Sequence, residues 1–487
     1  MLRSGTRVLV SFLFVFSCPA VAALELELEE CRISAGEAFP GIKARCGSFE
    51  RPLNPDDPDS PTISLRVAVV PALNLQPHAD PLVPLAGGPG QSAVQFYSGY
   101  AAAFERVRSN RDILLVDQRG TGESARMDCP IDDDLDEYEF DAELTIKYTQ
   151  ECLDALPYDP RYFTTSIAVQ DLEAVRKALG YPTLNLYGAS YGTRVAQHYA
   201  RRYPDSTRTI ILDGVVPPQL SLGPEIAIES QKAIDNIFAR CAADPACDAA
   251  FPDVAASFVK LRNTLSKKAV NVSVAHPVTG RVESVKFGQA ELAATVRLLA
   301  YSPRSIAMLP LLVSEASNSN YPPLVAQYQM TLMSLSETLA IGMHNTVLCT
   351  EDAPFFNPDA FDMAALEGSF MGTMQLRAIE AICSVWPAGP IDEDFKQPLS
   401  TAIPTLLLSG TADPSTPPHY ADMAARNLKK AWLLNGEHQG HGQLAVGCMP
   451  RIVEQFIDNA TFEISDAACL RASFVMPFFL DFSGPAP

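Results

Sequence analysis

Residues 184–200 read LNLYGASYGTRVAQHYA. An apolar run reaches Tyr187, Gly188-Ala189-Ser190-Tyr191-Gly192 follows, and the remainder has helical character. Glycines on either side of a serine suit a turn in which a strand passes sharply into a helix. Bulk at the flanking positions would collide there, and the serine backbone is strained. Such an elbow lifts the hydroxyl clear of the sheet, at the positive end of the helix. Five-residue patterns of small residues also arise by chance in a long chain. The elbow therefore calls for a base, an acid and an oxyanion hole elsewhere in the sequence.

Outward from the elbow, TISLRVAVV (62–70), DPLVPLAGGPG (80–90), DILLVDQRGTGES (112–124) and RTIILDGVVPP (208–218) are short apolar runs, several ending in glycine turns. Near-continuous apolar runs mark strands buried on both faces, as in a parallel sheet. Helical stretches separate them. In SIAVQDLEAVRKALG (166–180), Ile167, Leu172, Val175 and Leu179 share one face. This alternation predicts a doubly wound α/β domain. From 219 to 395 the pattern turns mainly helical, with a hairpin of VNVSV and RVESVKF turned at HPVTG. The buried-strand pattern returns in IPTLLLSGTADPSTPP (403–418) and KAWLLNGEHQGHG (430–442). The expected layout is a leader at 1–22, a core at 23–218, a helical cap at 219–395 and the rest of the core at 396–487.

Composition narrows the function classes. The 487 residues are 47% hydrophobic and 19% charged, which fits a globular chain of two or three structural units. A net charge of −20 leaves nothing to neutralise phosphates, so nucleic acid is excluded as a partner. Arg3 and Arg7 precede the apolar VLVSFLFVF, and Ala20-Val21-Ala22 supplies a small-x-small cleavage site. These residues predict a secretory signal peptide, too short for a membrane span, and a periplasmic or secreted protein. Cys18 raises a lipoprotein alternative, to which Phe16 and Ser17 are a poor match. No other run is long and apolar enough to cross a membrane. Besides Cys18, ten cysteines fall in local clusters, an even count that in an exported chain predicts disulfides. No C-x2-C or H-E-x-x-H spacing occurs, so no metal site is expected.

In open α/β sheets, function gathers at the carboxyl ends of strands. Asp413 follows the run 403–408, and His438 and His441 follow 431–434. With Ser190 the chain order is Ser, Asp, His, the order of the α/β-hydrolase fold. A serine hydroxyl needs a base to take its proton, and the base needs a carboxylate to fix its tautomer. Asp213, in ILDGVV, also follows a strand, but such a residue more often ties down a loop, so Asp413 is favoured. His441 is favoured over His438 because Gly440 and Gly442 let its loop wrap close to the serine. Gly87-Gly88-Pro89-Gly90 supplies backbone N–H groups for an oxyanion; Gly88 and Tyr191, the residue after the nucleophile, are the expected donors. In DQRGTGES, Asp117 and Arg119 are expected to pair and brace the loops, with Gly120 and Gly122 permitting the turn.

With these residues in hand, the chain resembles the exported tripeptidyl aminopeptidases, close relatives of the prolyl iminopeptidases. The likeness lies in RCGSFERPLNPDD, GGPGQS, DQRGTGES, GASYGT, RCAADPAC, CTEDAP, SGTADPSTP and GHG. It implies Ser190 as nucleophile, Asp413 as acid, His441 as base, no cofactor, and release of short N-terminal peptides or single residues from peptides with a free N-terminus. Ala86 departs from the histidine that prolyl iminopeptidases usually carry before the two glycines, which puts a narrow proline specificity in doubt. Cysteine order alone does not fix connectivity. The resemblance lends weight to pairing neighbours: Cys31 with Cys46, Cys129 with Cys152, Cys241 with Cys247, Cys349 with Cys383, and Cys448 with Cys469. A free N-terminus is an ammonium that needs a carboxylate when it leaves water, and Glu351-Asp352 in VLCTEDAPFF is the nearest candidate, against a merely solvated acidic pair. An esterase or small-amide hydrolase on the same scaffold, or a non-catalytic binding protein, are the alternatives. The oligomeric state is not legible in the sequence.

Overall fold

Besides a two-stranded ribbon of Phe479–Asp481 and Gly484–Pro485, eleven strands organise the molecule, a computed structural model that describes residue 1 and residues 26–36, 41–129, 141–463, 467–470 and 475–485. The eleven are β1 (Glu29–Ile33), β2 (Ile42–Pro52), β3 (Thr62–Val70), β4 (His78–Leu85), β5 (Arg111–Val116), β6 (Leu184–Ala189), β7 (Thr207–Asp213), β8 (Val270–Ala275), β9 (Val282–Phe287), β10 (Thr405–Gly410) and β11 (Ala431–Gly436). The leader expected at 1–22 falls, from residue 2 onward and with Cys18, outside the described residues. Among the described residues no helix is long and apolar enough to cross a membrane.

Nine of these strands form one sheet in the order β1-β2-β3-β5-β4-β6-β7-β10-β11. From β5 to β11 every neighbour is parallel. The first three strands are antiparallel to one another, and β3 is antiparallel to β5. The apolar runs explain the parallel half. In β7, Ile210 and Leu212 enter one core while Ile211 enters the other. In β10, Leu407 faces the first core, and Leu406 and Leu408 face the second. Each face is covered: the helices Thr165–Ala178 and Tyr191–Arg202 bury Leu172, Val175 and Val195 on one, and Ala93–Arg108 and Met449–Asn459 bury Phe104, Ile452 and Phe456 on the other. This is the α/β-hydrolase fold, a mostly parallel sheet between helical layers. β1 and β2 carry no continuous apolar run, because antiparallel strands at the sheet margin bury only alternate residues.

Between β7 and β10 lie mostly helices, among them Pro224–Ala243, Gln289–Leu299 and Pro322–Thr338, with the hairpin β8–β9. They enclose a core of their own, containing Ile234, Phe238, Phe258, Phe287, Leu309 and Leu324. Disulfides join Cys31 to Cys46, Cys129 to Cys152, Cys241 to Cys247, Cys349 to Cys383 and Cys448 to Cys469.

Candidate active site

Five strands that are neighbours in the sheet each end in a candidate residue. The glycine loop follows β4, Ser190 follows β6, Asp213 ends β7, Asp413 follows β10 and His441 follows β11. Ser190 stands between β6 and the helix Tyr191–Arg202 with φ 55° and ψ −122°, a strained setting for a residue with a Cβ. Its flanking glycines are needed by contact: a Cβ on Gly188 would come 2.3 Å from Gly192 O, and one on Gly192 2.1 Å from Leu85 O. Tyr191 is the first residue of that helix, so its N–H has no intrahelical partner.

The sheet brings the other groups to the elbow. Ser190 N–H donates to Asp213 O at 2.9 Å. A Cβ on the next residue, Gly214, would lie 2.9 Å from His441 Cε1 and 3.0 Å from Thr416 Oγ1. On the other side, a Cβ on Gly87 would lie 3.1 Å from the Ser190 Cβ. Gly88 is exposed at φ 107°, with Leu339 packed over it. Ser190 Oγ makes no hydrogen bond to His441 among the described residues.

His441 Nδ1 donates to Asp413 Oδ2 at 2.8 Å. Asp413 is buried and also accepts the N–H groups of Ser415 and Thr416, at 2.8 and 2.9 Å, and the Thr416 hydroxyl at 2.7 Å. Thr416 Oγ1 also lies 3.0 Å from His441 Nδ1. Burial pushes the Asp413 carboxyl up, but the His441 charge and these hydrogen bonds outweigh it and hold it below the usual range. Burial likewise disfavours the His441 imidazolium, yet the Asp413 charge and hydrogen bond prevail and raise its pKa above 6.5. The His441 N–H is fixed by Tyr301 O at 2.8 Å, and the two rings lie 4.8 Å apart.

The rivals sit elsewhere in function. Asp213 is buried, accepts Tyr187 Oη at 2.5 Å and the N–H groups of Gln443 and Leu444, and so anchors the chain just past His441. His438 is exposed, with its N–H on Thr411 Oγ1. The expected Asp117–Arg119 pair does not form. Asp117 accepts the Ser92 hydroxyl at 2.6 Å and the N–H groups of Val94 and Glu123. Arg119 grips Asp171 through Nε and Nη2, at 2.6 and 2.9 Å. Two residues apart in a glycine turn, the two side chains diverge to different layers.

Glu351 and Asp352 are neither solvated nor open to a ligand. Glu351 accepts the Thr165 N–H at 2.7 Å and its hydroxyl at 2.9 Å; that hydroxyl also meets Tyr191 Oη at 2.5 Å. Asp352 pairs with both terminal nitrogens of Arg194, at 3.0 and 2.8 Å, and accepts the Leu222 N–H. Every carboxylate oxygen thus has an internal donor, which corrects the sequence-based expectation that the pair receives a substrate ammonium. Burial pushes the Glu351 carboxyl up to about 7, against the opposing Arg194 charge and Thr165 hydrogen bonds. Thr416 and Tyr301 escape a reading of the sequence, since nothing in their neighbours signals contact with His441.

A family model described as TAP-like protein matches residues 368–469. Serine protease Hip1 of Mycobacterium tuberculosis (strain ATCC 25618 / H37Rv) is 27% identical over 488 residues, covering 91% of each chain. Tripeptidyl aminopeptidase of Streptomyces lividans is 29% identical over 168 residues, 30% of this chain and 31% of the relative. A solved proline iminopeptidase of Mycobacterium smegmatis aligns with a TM-score of 0.34 at 16% identity, covering 84% of this chain and 97% of that one. The nine-stranded, mostly parallel sheet gives this chain the α/β-hydrolase fold, and residues 368–469 match the family model described as TAP-like protein.

Proposed function

We propose that the protein is an exported serine peptidase that releases short N-terminal peptides by acyl transfer. The observation that carries the reading is Ser190 at φ 55° on its elbow, with the hydrogen-bonded His441–Asp413 pair held at neighbouring strand ends. Ser190 Oγ attacks the scissile carbonyl carbon as His441 Nε2 takes the hydroxyl proton. The oxyanion is met by the N–H groups of Gly88 and Tyr191. The C–N bond then breaks, and His441 returns the proton to the leaving amine. Water attacks the ester, giving a proton to His441, and that proton leaves with Ser190 Oγ. The helical layer between β7 and β10 acts as a cap that limits how far a chain end can enter. Names of the relatives support the peptidase assignment, and five disulfides support export.

The test is a panel of aminoacyl-, dipeptidyl- and tripeptidyl-arylamides with free and blocked N-termini, beside simple esters. Turnover of free-amine tripeptidyl substrates and loss on blocking is the expected result. Ester turnover with every arylamide intact would make the protein an esterase instead. The same reading fixes a pH profile. An imidazolium cannot accept the Ser190 proton, so kcat/KM falls as pH drops through the raised His441 pKa, above 6.5. An acid limb below 6.5 in a kcat/KM titration contradicts it.

A further inference from the structure

Arg297 lies on the helix Gln289–Leu299 and reaches the loop that carries Asp413. Its Nη2 donates to Tyr301 Oη at 2.9 Å and to Ser415 Oγ at 3.2 Å, both uncharged. Its guanidinium is 5.6 Å from the centroid of the Tyr301 ring, the ring that packs on His441. The cation is therefore one residue removed from both His441 and Asp413. Its charge bears on His441 and also on His344, whose Nδ1 lies 3.1 Å from Pro89 O in the glycine loop. Arg297 thus stands near both loops that meet at Ser190.

Among the described residues no carboxylate answers this charge. Nη1 has no acceptor, and Nε is buried without one. The buried Arg111, Arg119 and Arg194 each hold an aspartate. Acids outnumber bases 57 to 37 in this chain, so scarcity of acids is not the cause. A partly desolvated guanidinium with unused donors is costly unless an anion arrives to take them.

We propose that Arg297 binds a carboxylate of the substrate, an acidic side chain near the scissile bond or the terminal carboxylate of a short peptide. The acyl-transfer reading is used only to choose the substrates. The full chain, Arg297→Met and Arg297→Lys are assayed on two matched sets. In the first, tripeptidyl arylamides carry Glu or Gln at one position at a time. In the second, otherwise identical short peptides end in a carboxylate or a carboxamide. The unmodified protein favours the carboxylate member of one set by about 10- to 100-fold in kcat/KM, the range of a hydrogen bond to a charged group. The set that shows the preference identifies the source. Arg297→Met erases it by slowing the carboxylate member far more than the neutral one, and Arg297→Lys keeps part of it. No preference in either set overturns the proposal. Equal losses on charged and neutral members in Arg297→Met also overturn it, because they mark a mere support for Tyr301 and His441. If esters alone are turned over, the peptidase reading fails separately. The aryl half-ester of a dicarboxylic acid, set against its methyl-capped diester, then decides Arg297 by the same criteria.

Discussion

Replacing Ser190 by alanine lowers kcat by at least about 10³-fold, the loss typical when a triad member is removed and only binding and the oxyanion hole remain. The elbow gives this variant diagnostic power. The strained backbone at φ 55° is set by β6, the helix Tyr191–Arg202 and the close glycines, none of which depends on the hydroxyl. The alanine protein should therefore fold as the parent does and fail only at the chemical step. A fluorophosphonate probe labels the parent at Ser190 and leaves the variant unlabelled. An alanine variant that keeps its rate, or a label at another serine, removes Ser190 from the mechanism.

Asp352→Ala removes both carboxylate hydrogen bonds of Arg194, which is 1% exposed on the helix that begins at Tyr191, and leaves it only Glu351 at 3.9 Å and the Leu220 carbonyl. Removing one partner of a buried pair costs about 3–5 kcal/mol, because the remaining charge keeps its desolvation penalty without its compensation. Lys396, 3.7 Å from Asp352, cannot make up the loss, since it is a cation itself. Urea unfolding measures the effect, read both by fluorescence and by the onset of proteolysis. The double variant Asp352→Leu with Arg194→Met should recover most of the stability. A single variant within about 1 kcal/mol of the parent would mean that the pair is solvated in solution, as exposed pairs of that worth are. Glu351→Gln separates two roles in the same loop. Its carboxylate meets Thr165, and through it Tyr191, so losses on peptide and ester substrates should be equal.

Local chemistry was the legible part of this chain. Ser190 announces itself because an elbow needs glycines at fixed offsets. Asp413 and His441 do so because each follows an apolar run, buried throughout in β10 and only partly buried in β11 at the sheet edge. The parallel strands are legible for the same reason, while β1 and β2 are not, since alternate burial leaves no run to see. What stays hidden depends on partners far along the chain. Arg119 meets Asp171 instead of its near neighbour Asp117. The buried state of Glu351 and Asp352 is set by Thr165 and Arg194, which no local pattern links to them. Thr416 has a sequence signal only in hindsight, three residues past Asp413, where a turn brings its hydroxyl back to the carboxylate.

The pairing of β10 with β7 sets Thr405 beside Ile210. Synthesis runs the other way along this contact. The ribosome completes the elbow long before it reaches Asp413 or His441. On the proposed mechanism, Ser190 has no proton acceptor until the last strands emerge, and the growing polypeptide has no acyl-transfer competence toward its neighbours. Over the same interval the flank of β7 is an unsatisfied row of backbone donors and acceptors, open to any extended segment that meets it. The arrival of β10 then does two things at once: it closes that flank and delivers Asp413, with β11 and His441 behind it.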